Sequence, residues 1–333
     1  MRKKKVILSF DYELFFGDRS GTVQKTLIEP TNQLLDAMDS VGFKGNFFVD
    51  WQMLKYLMAE GTERTDVDYA LIESQLKDLI RRGHRIELHI HPHWVDAKYN
   101  GDGTWDFSEF CHYSLNTFTE DEIIEMFKEG SELLTSIARQ VDPDYKLCAF
   151  RAGGWAVQPF DKIKKGLLSV GIIIDSSVMP RRAIKTENSE CNFLNAPEPP
   201  NSYYYFEDDV CIDNKKGSFI EIPITSTKKY LPIKIINRLY RYSVGTDFST
   251  LADGTHFRMN DIPDKWINPE GRIICTFSSH VPINPLIMRL LYKGDIVCFI
   301  DHPKDLSKYT CKGIKLLSKV ADSLTYCELK NII

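Results

Sequence analysis

The chain has no hydrophobic run long enough to cross a bilayer. Its longest apolar stretch, Gly166 to Ile174, falls far short of the roughly 20 residues a spanning helix needs. It has no basic excess either: 42 Lys plus Arg against 46 Asp plus Glu leave a net charge of −4, which argues against a nucleic-acid partner. Met1-Arg2-Lys3-Lys4-Lys5 imitates the charged start of an export signal, but only Val6-Ile7-Leu8 follow before Ser9-Phe10-Asp11 breaks the apolar run, so no signal is expected. The 8 cysteines contain no C-x-x-C pair, and Cys148, Cys275 and Cys298 sit in apolar runs where a reduced thiol packs as a small hydrophobe. A cytoplasmic protein is the expectation. Internal repeats and Gly- or Ser-rich linkers are absent too, so residues 1–333 are expected to be one domain.

With 43% hydrophobic and 26% charged residues over 333 positions, the chain can bury a full core. Short β-rich runs alternate with amphipathic stretches, the pattern of βα units around a largely parallel sheet or barrel. Lys5 to Asp11, Gly45 to Asp50 and Arg85 to His89 read as the first three strands. Leu147 to Arg151, Gly171 to Asp175, Ser218 to Ile224, Arg272 to Ser278 and Asp295 to His302 read as later ones. Thr119-x-x-Glu122 has the spacing of a helix-capping box and predicts a helix to about Arg139, and a further helix is expected near Phe160 to Leu168. Ile314, Leu317, Val320 and Leu324 predict a closing helix. Residues 94–118, 180–217 and 244–271 break the alternation and read as insertions, the first being rich in aromatics that favour an ordered cover.

Five strand candidates end in residues that form poor strands and good chemistry, and carboxyl ends of parallel strands are where sites assemble. Ser9-Phe10-Asp11-Tyr12-Glu13 carries two carboxylates two residues apart, each suited to bind a metal or act as a base. Leu88-His89-Ile90-His91-Pro92-His93 concentrates three of the 8 histidines, and imidazole with a carboxylate is a usual donor set for zinc and neighbouring ions. A bland alternative is a surface histidine cluster or stacked core imidazoles. Ala149-Phe150-Arg151-Ala152-Gly153-Gly154 ends a strand in an arginine, whose fork of donors orients an acid or forms a structural ion pair. Ile174-Asp175-Ser176-Ser177 delivers one Asp, and Ile300-Asp301-His302-Pro303 one His.

This ordered set, from Val6 to about Pro303, resembles the polysaccharide deacetylase superfamily, the NodB-homology fold of carbohydrate esterase family four, in its D-x-E branch. The resemblance implies an α/β fold, a distorted (β/α)7 barrel with loop insertions. It also implies a divalent metal, zinc first with cobalt or nickel as alternatives. By position it makes Glu13 the carboxylate ligand and His89 the first histidine ligand. The second is His93 if the usual three-residue gap applies and His91 if the branch uses H-x-H. Asp11 becomes the general base, Arg151 its holder, His302 the general acid and Asp175 the residue tuning His302; the two carboxylate roles exchange in the alternative assignment. Tyr12 between the two acids, a missing proline in the Arg151 motif and a single Asp in the Asp175 motif depart from the common pattern. The implied activity is metal-dependent hydrolysis of an amide, removing an N-acetyl or other N-acyl group from a sugar or glycan intermediate of surface polysaccharide synthesis. Two alternatives are an allantoinase-like hydrolase of a non-carbohydrate C–N bond and an inactive glycan-binding barrel. An open groove lined by Trp94, Trp105, Tyr203 and Tyr204 would favour a sugar, and a closed pocket a small metabolite.

Overall fold

The structure, a computed structural model, describes residues 3–186, 188–197, 202–228, 231–244, 250–256, 265–278 and 281–332. Strands β1 (Lys4–Tyr12), β2 (Gly45–Asp50) and β3 (Arg85–Ile90) lie side by side in parallel at the centre of a sheet of 9 strands. The sheet continues from β3 through Ala149–Ala152, Ile174–Asp175 and Phe219–Glu221, all parallel, to an antiparallel edge at Tyr204–Phe206. On its other side β1 pairs in parallel with Ile296–Asp301. Its first half also pairs with Ala321–Leu324, on the side where its second half pairs with β2. The curl of this sheet is drawn together through Thr225, just after Phe219–Glu221: its N–H donates to the Cys298 carbonyl at 3.0 Å, and its hydroxyl accepts from the Cys298 N–H at 2.9 Å.

These strands are runs of apolar residues because both faces are covered. Val6, Ile7, Leu8 and Phe10 of β1 and Phe47, Phe48 and Val49 of β2 are all fully buried. Helices Glu29–Asp39, Glu63–Arg81, Glu120–Arg139 and Phe160–Val170 turn apolar stripes toward them. The helix at Glu120 starts as its sequence indicated. Thr119 accepts from the Glu122 N–H while the Glu122 carboxylate accepts from the Thr119 N–H at 2.8 Å. A cap of this kind contributes about 1 kcal/mol.

Several elements depart from the sequence reading. Trp51–Glu60 is a helix that no periodicity marked, because its buried residues Trp51, Gln52, Met53 and Leu54 are consecutive. The expected closing helix is a helix at Thr310–Leu317 followed by the strand Ala321–Leu324. Ile314 and Leu317 face the body from the helix, but Ala321 and Leu324 are buried as members of the sheet. Of the strand expected at Arg272 to Ser278, Ile273–Ile274 pairs only with Ser226–Thr227, outside the main sheet.

Residues 94–118 form an ordered cover containing the small hairpin Lys98–Tyr99 and Trp105–Asp106. Trp94 and Trp105 are 1% and 2% exposed and meet edge to face at 5.0 Å, so they belong to the core rather than to an open groove. Tyr204 is buried likewise, its hydroxyl donating to the Val210 carbonyl. The insertions at 180–217 and 244–271 contribute Ala183–Lys185, Glu190–Asn192 and Lys265–Ile267 to a separate sheet of 3 strands; residues 245–249 and 257–264 lie outside the described set. Cys148 is not a free thiol: it is bonded to Cys327 on the short helix Tyr326–Lys330, 179 residues away. Among the described residues, no helix is long and apolar enough to cross a membrane.

Candidate metal centre

Register decides which strand ends meet. Asp50 at the end of β2 lies beside His89 of β3, and His89 beside Arg151. On the other side Phe10 of β1 lies beside Asp301. The carboxyl ends of these strands therefore form one rim, to which Asp11, Glu13, His89, Arg151 and His302 all belong.

At the centre of the rim are Glu13, His89 and His91, whose ligand atoms all lie within 4.8 Å of one another and whose side chains are buried. Glu13 Oε2 is 3.2 Å from His89 Nε2 and 2.5 Å from His91 Nε2. His89 Nδ1 donates to the Arg151 carbonyl at 2.7 Å, which orients the ring and leaves Nε2 as the nitrogen for a metal; here Nε2 hydrogen-bonds to Glu13 Oε2. Two imidazole nitrogens converging on one carboxylate oxygen form a donor set that suits zinc or a neighbouring transition ion. Burial pushes the Glu13 carboxyl toward the neutral form, but the Lys304 ammonium and His91 outweigh it and hold its pKa well below the usual carboxylate range. His91 depends on Gly153: a Cβ there would stand 2.5 Å from His91 Nδ1 and 2.6 Å from the Ile90 carbonyl oxygen, so the strand at Arg151 must end in a residue without one.

His93 lies outside this group. Pro92 opens a short 3-10 turn, Pro92–Asp96, that carries His93 into aromatic packing against Phe16 and Phe107, each 4.9 Å away. Burial pushes the His93 pKa well down, keeping the ring neutral.

Asp11 and Arg151 form a buried ion pair beside the centre. Arg151 is fully buried and spends its remaining donors on the frame, giving one hydrogen bond to the Ser176 carbonyl at 2.8 Å and one to the Ser9 hydroxyl at 2.8 Å. His302 follows the strand Ile296–Asp301 beside β1, with Nε2 3.7 Å from Asp11 Oδ2 and 3.5 Å from Glu13 Oε1.

Asp175 does not reach His302. Its carboxylate accepts from the Ser177 hydroxyl at 2.7 Å and shares a buried niche with Glu221, where burial raises both pKa values. The acid beside His302 is Asp305, whose Oδ2 is 3.2 Å from His302 Nδ1 and whose other oxygen meets His256. Burial pulls the His302 pKa down, but Asp305 outweighs it and raises the value above that of an ordinary histidine.

Three residues of the rim escaped the sequence reading. Lys304, 4% exposed, donates to Glu13 Oε1 at 2.7 Å and to the Leu14 carbonyl at 2.8 Å. Asp305 follows it, and D-H-P-K-D after a strand was the available signal. Asp50, at the end of β2, accepts from the Trp94 indole N–H at 2.6 Å, and burial pushes its pKa up to about 6.

Among the described residues, two other groups have the ligand types of a metal site. In the first, Asp301 already accepts from the Phe277 N–H at 2.7 Å, the Thr276 hydroxyl at 3.0 Å and the His302 N–H at 2.9 Å. In the second, Glu87 accepts from the N–H groups of Cys148 and Ala149, and both thiols are used in the disulfide.

No protein-family model matches the sequence, and no curated protein matches it. Among solved structures, a 4-alpha-glucanotransferase from Thermococcus litoralis aligns over 100% of this chain and 41% of its own at 12% identity, with a TM-score of 0.54. A Mycobacterium smegmatis protein designated a polysaccharide deacetylase aligns over 100% and 91% at 14% identity and 0.49. A family 4 carbohydrate esterase from Streptomyces lividans aligns over 97% and 92% at 9% identity and 0.40. At such identities the likeness is one of fold. The chain has a curled, largely parallel α/β sheet, and it carries a candidate His/Glu metal centre at the carboxyl end of its strands.

Proposed function

We propose that this protein is a metal-dependent amide hydrolase of the polysaccharide deacetylase type, removing an N-acetyl or similar N-acyl group from a sugar or glycan intermediate of surface polysaccharide synthesis. One observation carries the reading: Glu13, His89 and His91 converge within 4.8 Å, and the Asp11–Arg151 and His302–Asp305 pairs stand beside them, with His302 Nε2 3.5 Å from Glu13 Oε1 and 3.7 Å from Asp11 Oδ2. Fold alone does not assign an activity, so the reading rests on these side chains.

Glu13, His89 and His91 would hold the ion, which we take to be zinc, with cobalt or nickel as substitutes. When bound, such an ion polarises an amide carbonyl and makes water acidic near neutral pH. The protein's own groups do the rest. Asp11, fixed in direction by its ion pair with Arg151, takes the proton of the attacking water. His302, protonated through its contact with Asp305, gives a proton to the departing amine. Asp305 thereby fills the role first given to Asp175, and His91 that of the second histidine ligand.

A second reading, hydrolysis of a non-carbohydrate C–N bond, is favoured by one specific observation: Trp94, Trp105 and Tyr204 are buried and offer no stacking platform for a sugar. Screening N-acetylated sugars, nucleotide sugars and small cyclic amides by mass spectrometry separates the two. Purified protein should lose activity in chelator and regain it with zinc, cobalt or nickel. Asp11→Asn should abolish turnover and keep metal, whereas His89→Ala should lose both. Activity indifferent to metal ends the proposal, and metal loss in Asp11→Asn but not in Glu13→Gln reverses the two carboxylate roles.

A further inference from the structure

Residues 222–246 contain five cations, Lys228, Lys229, Lys234, Arg238 and Arg241, and no Asp or Glu, in a chain whose net charge is −4. The helix Leu231–Val244 lies within this stretch. Ile233 is buried and Ile236, Asn237 and Tyr240 are half-buried, a spacing of three and four that turns one face to the body. Tyr240 seals that face by meeting Tyr309 edge to face at 5.9 Å.

The opposite face is unusual for a helix in water. Ile235, Leu239 and Tyr242 are 50%, 65% and 90% exposed and follow one another at four and three residues, forming a continuous apolar stripe. Lys234 and Arg238 are exposed immediately beside it.

From this face we infer that the protein docks on an anionic lipid bilayer through the helix Leu231–Val244. An apolar stripe flanked by cations suits an interface: the stripe enters the acyl boundary, the Lys and Arg heads reach the lipid phosphates, and a tyrosine sits at the border between them. Charge decides against a second copy of this chain as the occupant. A two-fold contact would set the Lys234 and Arg238 rows of two helices against each other, with no acid in 222–246 to neutralise them.

The helix also packs on the segment that follows His302 and Asp305. Tyr309, on which Tyr240 packs, closes the loop that begins at His302 and Asp305, and Leu251, itself 43% exposed, donates its N–H to the Leu306 carbonyl at 3.1 Å. Docking would hold that loop against the headgroup layer. If the amide-hydrolase reading holds, on which this consequence alone rests, the substrate class is an N-acylated sugar carried on a lipid.

The test is co-sedimentation of the full chain with phosphatidylcholine vesicles, with and without phosphatidylglycerol, at low and high salt. Binding is expected only with phosphatidylglycerol and should weaken as salt rises. Lys234→Glu should reduce partitioning by at least about fivefold, and Leu239→Glu with Tyr242→Glu by about tenfold or more. Circular dichroism should be unchanged, since these side chains face outward. Three results would overturn the inference: no binding to phosphatidylglycerol vesicles, equal binding by the Leu239→Glu, Tyr242→Glu variant, or wild-type self-association in sedimentation velocity that the same variant abolishes without any vesicle binding. Neither the vesicles nor the variants touch the metal centre, so this experiment and the hydrolase assay fail independently.

Discussion

Lys304 gives the sharpest test of how Glu13 is used. Its buried ammonium lies 2.7 Å from Glu13 Oε1, on the opposite oxygen from the one that meets His89 and His91. Lys304→Met keeps most of the side-chain volume and removes the charge. In metal-free protein Glu13 then loses its strongest partner inside a buried site, and breaking a buried pair costs about 3–5 kcal/mol. His89 and His91 still face the carboxylate, so the lower end applies, about 3 kcal/mol, or a fall in melting temperature of about 4 °C for a chain of this size. In zinc-loaded protein the ion itself neutralises Glu13. The loss should shrink there to about 1 kcal/mol, that of the hydrogen bond to the Leu14 carbonyl. The difference of about 2 kcal/mol must reappear as zinc binding about thirtyfold tighter in the variant. Thermal unfolding in chelator and in zinc, with a competitive zinc titration, measures both sides of this cycle. Equal destabilisation with and without zinc, or unchanged zinc affinity, would refute the placement of Glu13 in the metal site.

Asp305→Asn removes one of the two acids, Asp305 and Asp11, that raise the His302 pKa against burial, and it removes the one hydrogen-bonded to the ring. Because His302 must be protonated to act as the acid, the alkaline limb of the kcat/KM profile should move to lower pH by about one unit; an unmoved limb would exclude His302 as the acid or Asp305 as its partner. Gly153→Ala, which places a methyl group 2.5 Å from His91 Nδ1, should lower zinc affinity by about tenfold or more, as measured by equilibrium dialysis. Glu221 and Asp175 have raised pKa values through burial, so their contribution to stability is complete at acid pH and is lost as pH rises through their folded-state values. Glu221→Gln should therefore flatten the decline in urea midpoint toward alkaline pH; an unchanged slope would show that Glu221 stays ionised.

Much of the fold was legible because its strands are short apolar runs ended by polar residues, and a parallel sheet covered on both faces requires such runs. The same feature exposed Asp11, Glu13, His89, Arg151 and His302, each of which interrupts a strand with a side chain the core would not otherwise hold. What stayed hidden depends on position after the strand has ended. Whether His91 or His93 turns inward is set by the 3-10 turn that Pro92 begins, and residue spacing alone left both open. The sequence alone singles out Asp175 and passes over Asp305; in the structure Asp175 is held by Ser177 beside Glu221, and Asp305 is the acid that meets His302 Nδ1. Nothing local in the sequence marks Lys304 as buried; its ammonium stands over Phe15, 5.4 Å from the ring centroid. The Cys148–Cys327 bond spans 179 residues and leaves no local trace.

The most direct test of the central claim is anomalous diffraction at the zinc edge from crystals grown with zinc. The account requires one strong peak per chain, bounded by the Glu13 carboxylate and the Nε2 atoms of His89 and His91, with His93 still packed against Phe16 and Phe107. A peak ligated instead by His93, or by Asp301, His302 and Asp305, or no peak at all, would contradict it.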